Sequence, residues 1–190
     1  MNKAAFLDRD GVINQKAATE DDYITRWEEF QFLPGVAQAI TLLHGAGFRV
    51  IVVSNQRCIA KGLLTFAELD SIHGSMCSEL IRLGAAIDGI YCCPHDEQPP
   101  CGCRKPMAGM LLAAATDHEI DLSSSWMIGD SENDVEAGKR AGCRTARIAQ
   151  PNAQEQGGAD VRAVSLLEAA HRILQLEANS ADLPLPSVSN

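Results

Sequence analysis

No apolar run in this sequence approaches the roughly 20 residues that a membrane-spanning helix requires, which excludes an integral membrane protein of that kind. Positive charge is also in short supply: 16 Lys and Arg stand against 25 Asp and Glu, a net charge of −9. That balance excludes a partner held by bulk electrostatics, whether nucleic acid or an anionic membrane. A phosphorylated ligand would need a local basic pocket instead. No internal repeat is visible, so repeat architectures are set aside. The N-terminus lacks a signal-peptide pattern and runs straight into a strand. The expected location is therefore cytoplasmic, where the seven cysteines are not expected to form disulfides.

With 46% apolar residues in a chain of 190, one domain with a sizeable core is expected over residues 1–177. The Ser- and Pro-rich residues 178–190 read as a frayed tail. A short apolar strand, Ala4 to Leu7, leads into Asp8-Arg9-Asp10-Gly11, and residues 14–33 are polar and mixed, as in a long loop. Helices are expected from Pro34, after Thr65 (a capping box with Glu68), from Pro106, after Ser131, and after Ser165 (a second capping box, with Glu168). Strands are expected at Arg49 to Val53, Ile87 to Tyr91, Trp126 to Ile128 and Arg144 to Ile148. The alternation predicts a Rossmann-like α/β fold, an open parallel sheet with helices on both faces.

Ligands of such sheets sit outside the C-terminal ends of the strands, and Asp8, Asp10, Ser54, Asn55 and Asp130 all fall there. Each is bland alone: Ser54-Asn55 reads as a turn, Asp130 as a helix N-cap, Lys105 as a solvated cation. Their convergence on one sheet edge is a stronger signal. Paired carboxylates repel, and a hard cation with oxygen ligands offsets the repulsion. Asp8, Asp10 and Asp130 suit Mg²⁺ with a phosphate as co-ligand, and a carboxylate can itself become an aspartyl-phosphate. Phosphoryl transfer asks chiefly for positioning and charge neutralisation. Lys105 would contribute if its loop folds over that edge.

Taken in order, D-x-D in Phe6-Leu7-Asp8-Arg9-Asp10-Gly11, Ser54, Lys105 in Arg104-Lys105-Pro106, and Gly129-Asp130 with Asp134 resemble the four motifs of haloacid dehalogenase (HAD) superfamily phosphatases. The resemblance spans about residues 4–148. It implies Asp8 as nucleophile and Asp10 as general acid and base. It also implies Mg²⁺ held by Asp8, Asp130 and the main-chain carbonyl of Asp10. Ser54 and the Asn55 amide would grip phosphoryl oxygens, Lys105 would neutralise charge, and Asp134 would stand one layer behind the metal ligands. No long insertion separates the motifs, so no separate cap domain is expected.

Four of the cysteines crowd into residues 92–103. Cys93-Pro94-His95 and Cys101-Gly102-Cys103 are two pairs of soft ligands, each with one intervening residue, which suits a closed structural Zn²⁺ site. Strand alternation sends Cys92 and Cys93 to opposite faces, and the spacing to His95 favours Cys93. Cys58, Cys77 and Cys143 read as small apolar residues. A pinned loop 92–104 would hold Arg104 and Lys105 over the sheet edge.

This C-P-H and C-x-C-R-K-P arrangement, with D-R-D-G-x-I-N, S-N-Q and G-M-L-L, resembles the D-glycero-D-manno-heptose 1,7-bisphosphate phosphatases and the related histidinol-phosphate phosphatases. Asn14 leans toward the heptose group. The likeness implies release of the C7 phosphate from a small phosphorylated metabolite, with Arg104 touching the substrate and no nucleic-acid or membrane partner. A monomer is the simplest oligomeric reading. Relatives commonly carry Ser where Arg57 stands and Lys where Ser131 stands, which bears on substrate identity. The alternatives are histidinol phosphate as substrate and a zinc-stabilised binding protein without turnover. The intact Asp8 and Asp10 pair speaks against the latter.

Overall fold

Strand β1 (Lys3–Leu7) lies inside a six-stranded sheet of order β3-β2-β1-β4-β5-β6, with every pairing parallel. The others are β2 (Phe48–Asn55), β3 (Gly89–Cys93), β4 (Trp126–Gly129), β5 (Arg144–Ile148) and β6 (Val161–Ala163). The computed structural model describes residues 1–17, 19, 23–149 and 158–181. A parallel strand covered on both faces needs a continuous apolar run, and Ala4, Ala5, Phe6 and Leu7 are fully buried. Ala5 and Leu7 face one helical layer: α1 (Val36–Gly45), α2 (Phe66–Arg82) and α5 (Leu166–Ala181). Ala4 and Phe6 face the other, α3 (Gly109–Asp117) and α4 (Glu132–Ala141). The expected α/β architecture is present, with no second sheet among the described residues.

Several boundaries differ from expectation for local reasons. Pro34 does not begin α1; Gly35, at φ 78°, is the N-cap, a conformation that favours glycine. Pro106 likewise precedes a turn, and α3 starts at Gly109, whose N–H donates to Gly102 O at 3.0 Å. A Cβ on Gly109 would lie 2.3 Å from that oxygen, so the cysteine-rich loop abuts the helix start only where there is no side chain. Strand β3 sits two residues later than expected and carries Cys92 and Cys93 within it. The three-residue edge strand β6 was not expected, because so short a segment has no readable period. Helix α5 continues to Ala181, so residues 178–181 of the expected tail are helical; residues 182–190 lie outside those described.

Residues 27–33, in the chain between β1 and α1, are held in place. A short 3-10 turn, Trp27–Glu29, stacks Trp27 on Phe30 at 5.1 Å, and Leu33 N–H donates to Ile13 O at 2.9 Å. No described helix is long and apolar enough to cross a membrane.

Candidate active site

Parallel pairing points the C-terminal ends of β1, β2 and β4 the same way, and the residues leaving those ends meet. Asp8 follows β1 and its N–H donates to Ile128 O on β4 at 2.9 Å. Gly11, at φ 90°, then turns the chain, and a Cβ there would sit 2.1 Å from Asp130 Oδ2. The β1 and β4 loops close on each other because that position is glycine. Asp130 follows β4, and Ser131 caps α4 in a reciprocal box with Asp134.

Lys105 arrives from the loop after β3. Asn55 at the end of β2 clasps its backbone, donating from Nδ2 to Lys105 O and accepting from Lys105 N–H, both at 3.0 Å. The ammonium donates to Val53 O at 2.8 Å and contacts Asp8 Oδ1 at 2.8 Å and Asp134 Oδ1 at 2.5 Å. Three donors meet three acceptors, which makes a charge at 3% exposure tolerable. Burial opposes that charge, but Asp134 and Asp8 hold it well above the usual lysine range. Burial pushes Asp8 up to about 7, against the pull of Lys105 and with a further push from Asp134. Asp134 goes the other way: burial would raise it, but Lys105 and Ser131 hold it low.

The two carboxylates of the D-x-D pair have different company. Asp8 Oδ1 takes Lys105 and the Arg9 N–H at 2.7 Å, while Oδ2 has no hydrogen bond to a described residue. Asp10 accepts from Asn14 Nδ2 at 2.8 Å, Gln56 Nε2 at 3.2 Å and Arg9 Nη2 at 3.0 Å. Burial would raise Asp10, but the Arg9 charge and these donors hold it below the usual carboxylate range. Lys16 Nζ lies 2.6 Å from Asp130 Oδ2; the other oxygen, Oδ1, is buried without a hydrogen-bond partner. Burial raises Asp130 beyond what Lys16 offsets.

Oxygens of Asp8, Asp130 and Asp134 lie within 4.8 Å of one another. A partnerless buried carboxylate oxygen beside two further carboxylates is the donor set a hard divalent cation takes. Asp134 has both oxygens committed, Oδ1 to Lys105 and Oδ2 to Ser131 N–H at 3.0 Å, so it stands behind the other two. The Asp10 carboxylate is outside this cluster, leaving its main chain as what it has to offer a metal. Ser54 is buried and accepts from Gln56 Nε2 at 2.7 Å; the Asn55 side chain bonds the Lys105 backbone, and Asn55 also lines the cleft. A cleft of about 160 Å³ is lined by Asp8, Ser54, Lys105, Asp130, Ser131 and Asn133. It shares Asp10, Lys16, Asn55 and Asn133 with an outer cleft of about 500 Å³ that Arg104 and Tyr23 also line.

Cys93, His95, Cys101 and Cys103 converge beside this site, their ligand atoms all within 4.8 Å. Cys103 Sγ lies 3.2 Å from Cys93 Sγ, 3.4 Å from Cys101 Sγ and 3.2 Å from His95 Nδ1. Metal–sulfur bonds of about 2.3 Å space tetrahedral ligands about 3.7 Å apart, so the cluster is compatible with one tetrahedral metal ion. Cys92 is on the opposite face, against the α1/α2/α5 layer. Arg104 Nη1 donates to His95 O at 3.3 Å, and Arg57 pairs with Asp96 at 2.6 Å, which ties the cysteine loop to the loop after β2.

A D-glycero-β-D-manno-heptose-1,7-bisphosphate 7-phosphatase of Bordetella bronchiseptica is 37% identical over 159 residues, covering 82% of this chain and 87% of the relative. The chain belongs to the heptose-bisphosphate phosphatase family of HAD-like enzymes. Another member, a D-glycero-α-D-manno-heptose-1,7-bisphosphate 7-phosphatase of Mycobacterium bovis, is 36% identical over 87% of this chain and 88% of its own. The crystal structure of the D,D-heptose 1,7-bisphosphate phosphatase of Bordetella bronchiseptica, complexed with magnesium and phosphate, superposes with a TM-score of 0.80 at 34% identity, covering 92% of this chain and 99% of that one. The HAD-hydrolase-like family model matches residues 102–163.

Sequence reasoning missed several residues that the structure brings to this cluster. Arg9 is buried behind the D-x-D pair, Gln56 bridges Ser54 and Asp10, Lys16 reaches Asp130, and Asn133 lines both clefts. His73 contacts Arg9 from α2 at 3.3 Å. One signal was available: His73 falls within the apolar stripe of Leu69, Ile72, Met76 and Leu80, an odd place for a polar side chain.

Proposed function

We propose that this chain is a Mg²⁺-dependent phosphatase that converts D-glycero-D-manno-heptose 1,7-bisphosphate to the 1-phosphate by way of an aspartyl-phosphate on Asp8. The observation that carries it is the grouping of Asp8, Asp130 and the Lys105–Asp134 pair around one phosphate-sized cleft, with an Asp130 oxygen unpartnered. Asp8, Asp130 and the Asp10 carbonyl would hold Mg²⁺, which when bound supplies charge neutralisation for the phosphoryl oxygens.

Asp8 Oδ2 attacks phosphorus while Lys105 fixes Oδ1. The bond from phosphorus to the sugar oxygen breaks, and Asp10 hands that oxygen a proton. At rest Asp10 is ionised, so the proton enters with the phosphoester, whose second pKa is about 6. Asp10, again a carboxylate, then takes a proton from the water that attacks the aspartyl ester, and phosphate leaves. Lys105 balances charge through both steps, Ser54 lines the phosphoryl cleft, and Arg104 meets the sugar end in the outer cleft. The Cys93, His95, Cys101 and Cys103 cluster would hold a structural Zn²⁺, which leaves no position for substrate and fixes the loop that presents Arg104 and Lys105.

Phosphate release should be measured on both anomers of the heptose bisphosphate, on histidinol phosphate and on fructose 1,6-bisphosphate. The expected result is a kcat/KM at least about a hundredfold higher for one heptose anomer than for histidinol phosphate. Asp8→Asn should abolish release from all of them. Wild-type turnover by that variant, or preference for histidinol phosphate, would overturn the reading.

A further inference from the structure

Arg9 has a side chain only 1% exposed, and a buried guanidinium is costly unless its donors are met. Nε and Nη2 go to Asp10 at 3.3 and 3.0 Å, and Nη1 lies 3.3 Å from His73 Nε2. The Phe30 ring lies near the guanidinium, 6.0 Å from centroid to Cζ. The fork is planar, so fixing its Nη1 end fixes the edge it presents to Asp10. His73 is 6% exposed and stands in the apolar stripe of α2. For Nε2 to accept from Arg9, the imidazole must be neutral with its proton on Nδ1. Burial and the Arg9 charge favour the neutral ring, with Asp70 and Asp10 opposing, and hold its pKa at about 4. Asp8, which accepts the Arg9 N–H, and the thiols of Cys58 and Cys92 are also near Arg9.

We infer that His73 is a positioning residue for the general acid: it anchors Arg9, and Arg9 aims the Asp10 carboxyl at the leaving oxygen. Asn14 and Gln56 also hold Asp10, but both belong to loops at the sheet edge, whereas His73 ties it to a long helix in the core. Without the acceptor at position 73, Nη1 is left unpaired in an apolar layer and the fork turns to find another partner. Asp10 then loses its alignment while Asp8, Lys105 and Asp130 keep theirs. This inference rests on the assignment of Asp8 and Asp10 made above.

The test separates leaving groups. An alkyl phosphate needs a proton on the departing oxygen; p-nitrophenyl phosphate does not. Because kcat/KM reports events up to transfer onto Asp8, it isolates that proton. His73→Leu should lower kcat/KM on the heptose bisphosphate about tenfold or more, a fraction of what general acid catalysis contributes, and lower it less than about twofold on p-nitrophenyl phosphate. His73→Gln, which keeps an acceptor near the Nε2 position, should recover most of the loss. Arg9→Lys, which keeps the charge but breaks the fork, should repeat the leaving-group dependence even if His73→Leu fails to fold. Equal losses on both substrates, no loss in any variant, or no difference between Leu and Gln would each overturn the inference. Asp8→Asn distinguishes the failures: if it stays active the underlying assignment is wrong, and if it is inactive while losses run parallel only the role of His73 falls.

Discussion

A histidine held neutral in an apolar layer makes the fold sensitive to acid in a defined window. His73 is pushed down from an ordinary 6.5 to about 4, so between those values the unfolded chain binds the extra proton. Its contribution to stability is complete above about 6.5 and is lost as pH falls toward 4. Linkage puts the loss at about 2 kcal/mol by pH 5. Urea melts at pH 7 and pH 5 should therefore show a fall in wild type that is about 2 kcal/mol larger than in His73→Gln. An identical pH response in the two proteins would show that the ring is not held neutral. Asp8, Asp130 and Lys105 were legible because motif order and strand ends fix them. Arg9 and His73 were not, because their meaning is a contact between residues 64 apart in sequence. The bond from the Asn55 side chain to the backbone of Lys105 was equally out of reach, because it joins residues 50 apart in sequence.

Helices and loops follow local rules, and most were readable for that reason. The Thr65–Glu68 and Ser131–Asp134 capping boxes set the starts of α2 and α4. Gly142, at φ 83°, ends α4. Elements set by tertiary packing were read less well: α3 begins only where Gly109 can meet Gly102, and β6 exists because β5 offers an edge. The same dependence on packing governs the cysteine loop, which has no helix or strand of its own between β3 and α3. Among the contacts that hold it are the Cys93, His95, Cys101 and Cys103 cluster, the Arg57–Asp96 pair and the Asn55 clasp. Stripping the metal with a strong chelator should accelerate amide exchange across residues 94–104 while β1 and β2 stay protected. With Mg²⁺ restored, turnover should remain depressed, because the loop that presents Arg104 and Lys105 is no longer pinned at its cysteine end. Uniform acceleration through the sheet would contradict a local role for this metal.

Across the whole molecule, chemistry and cohesion occupy opposite edges of the sheet. The candidate site residues lie beyond the C-terminal ends of β1, β2, β3 and β4, whereas α5 fastens the N-terminal ends. Glu177 accepts from Trp126 Nε1 at 3.3 Å and pairs with Lys3 at 3.3 Å and Arg144 at 3.4 Å, the first residues of β4, β1 and β5. Glu177→Ala should cost about 1–2 kcal/mol, chiefly from a buried indole N–H left unpaired, with kcat within about twofold of wild type. A matching loss of kcat would mean that the two edges are coupled. The shared cation at the other edge has a different kind of consequence. Lys105 answers to Asp8 and Asp134 together, and a core that loses both acids is left with a stranded ammonium. Descendants of this protein that abandon turnover are thus under pressure to discard all three side chains as a set, and a lineage keeping the lysine without either acid should scarcely occur.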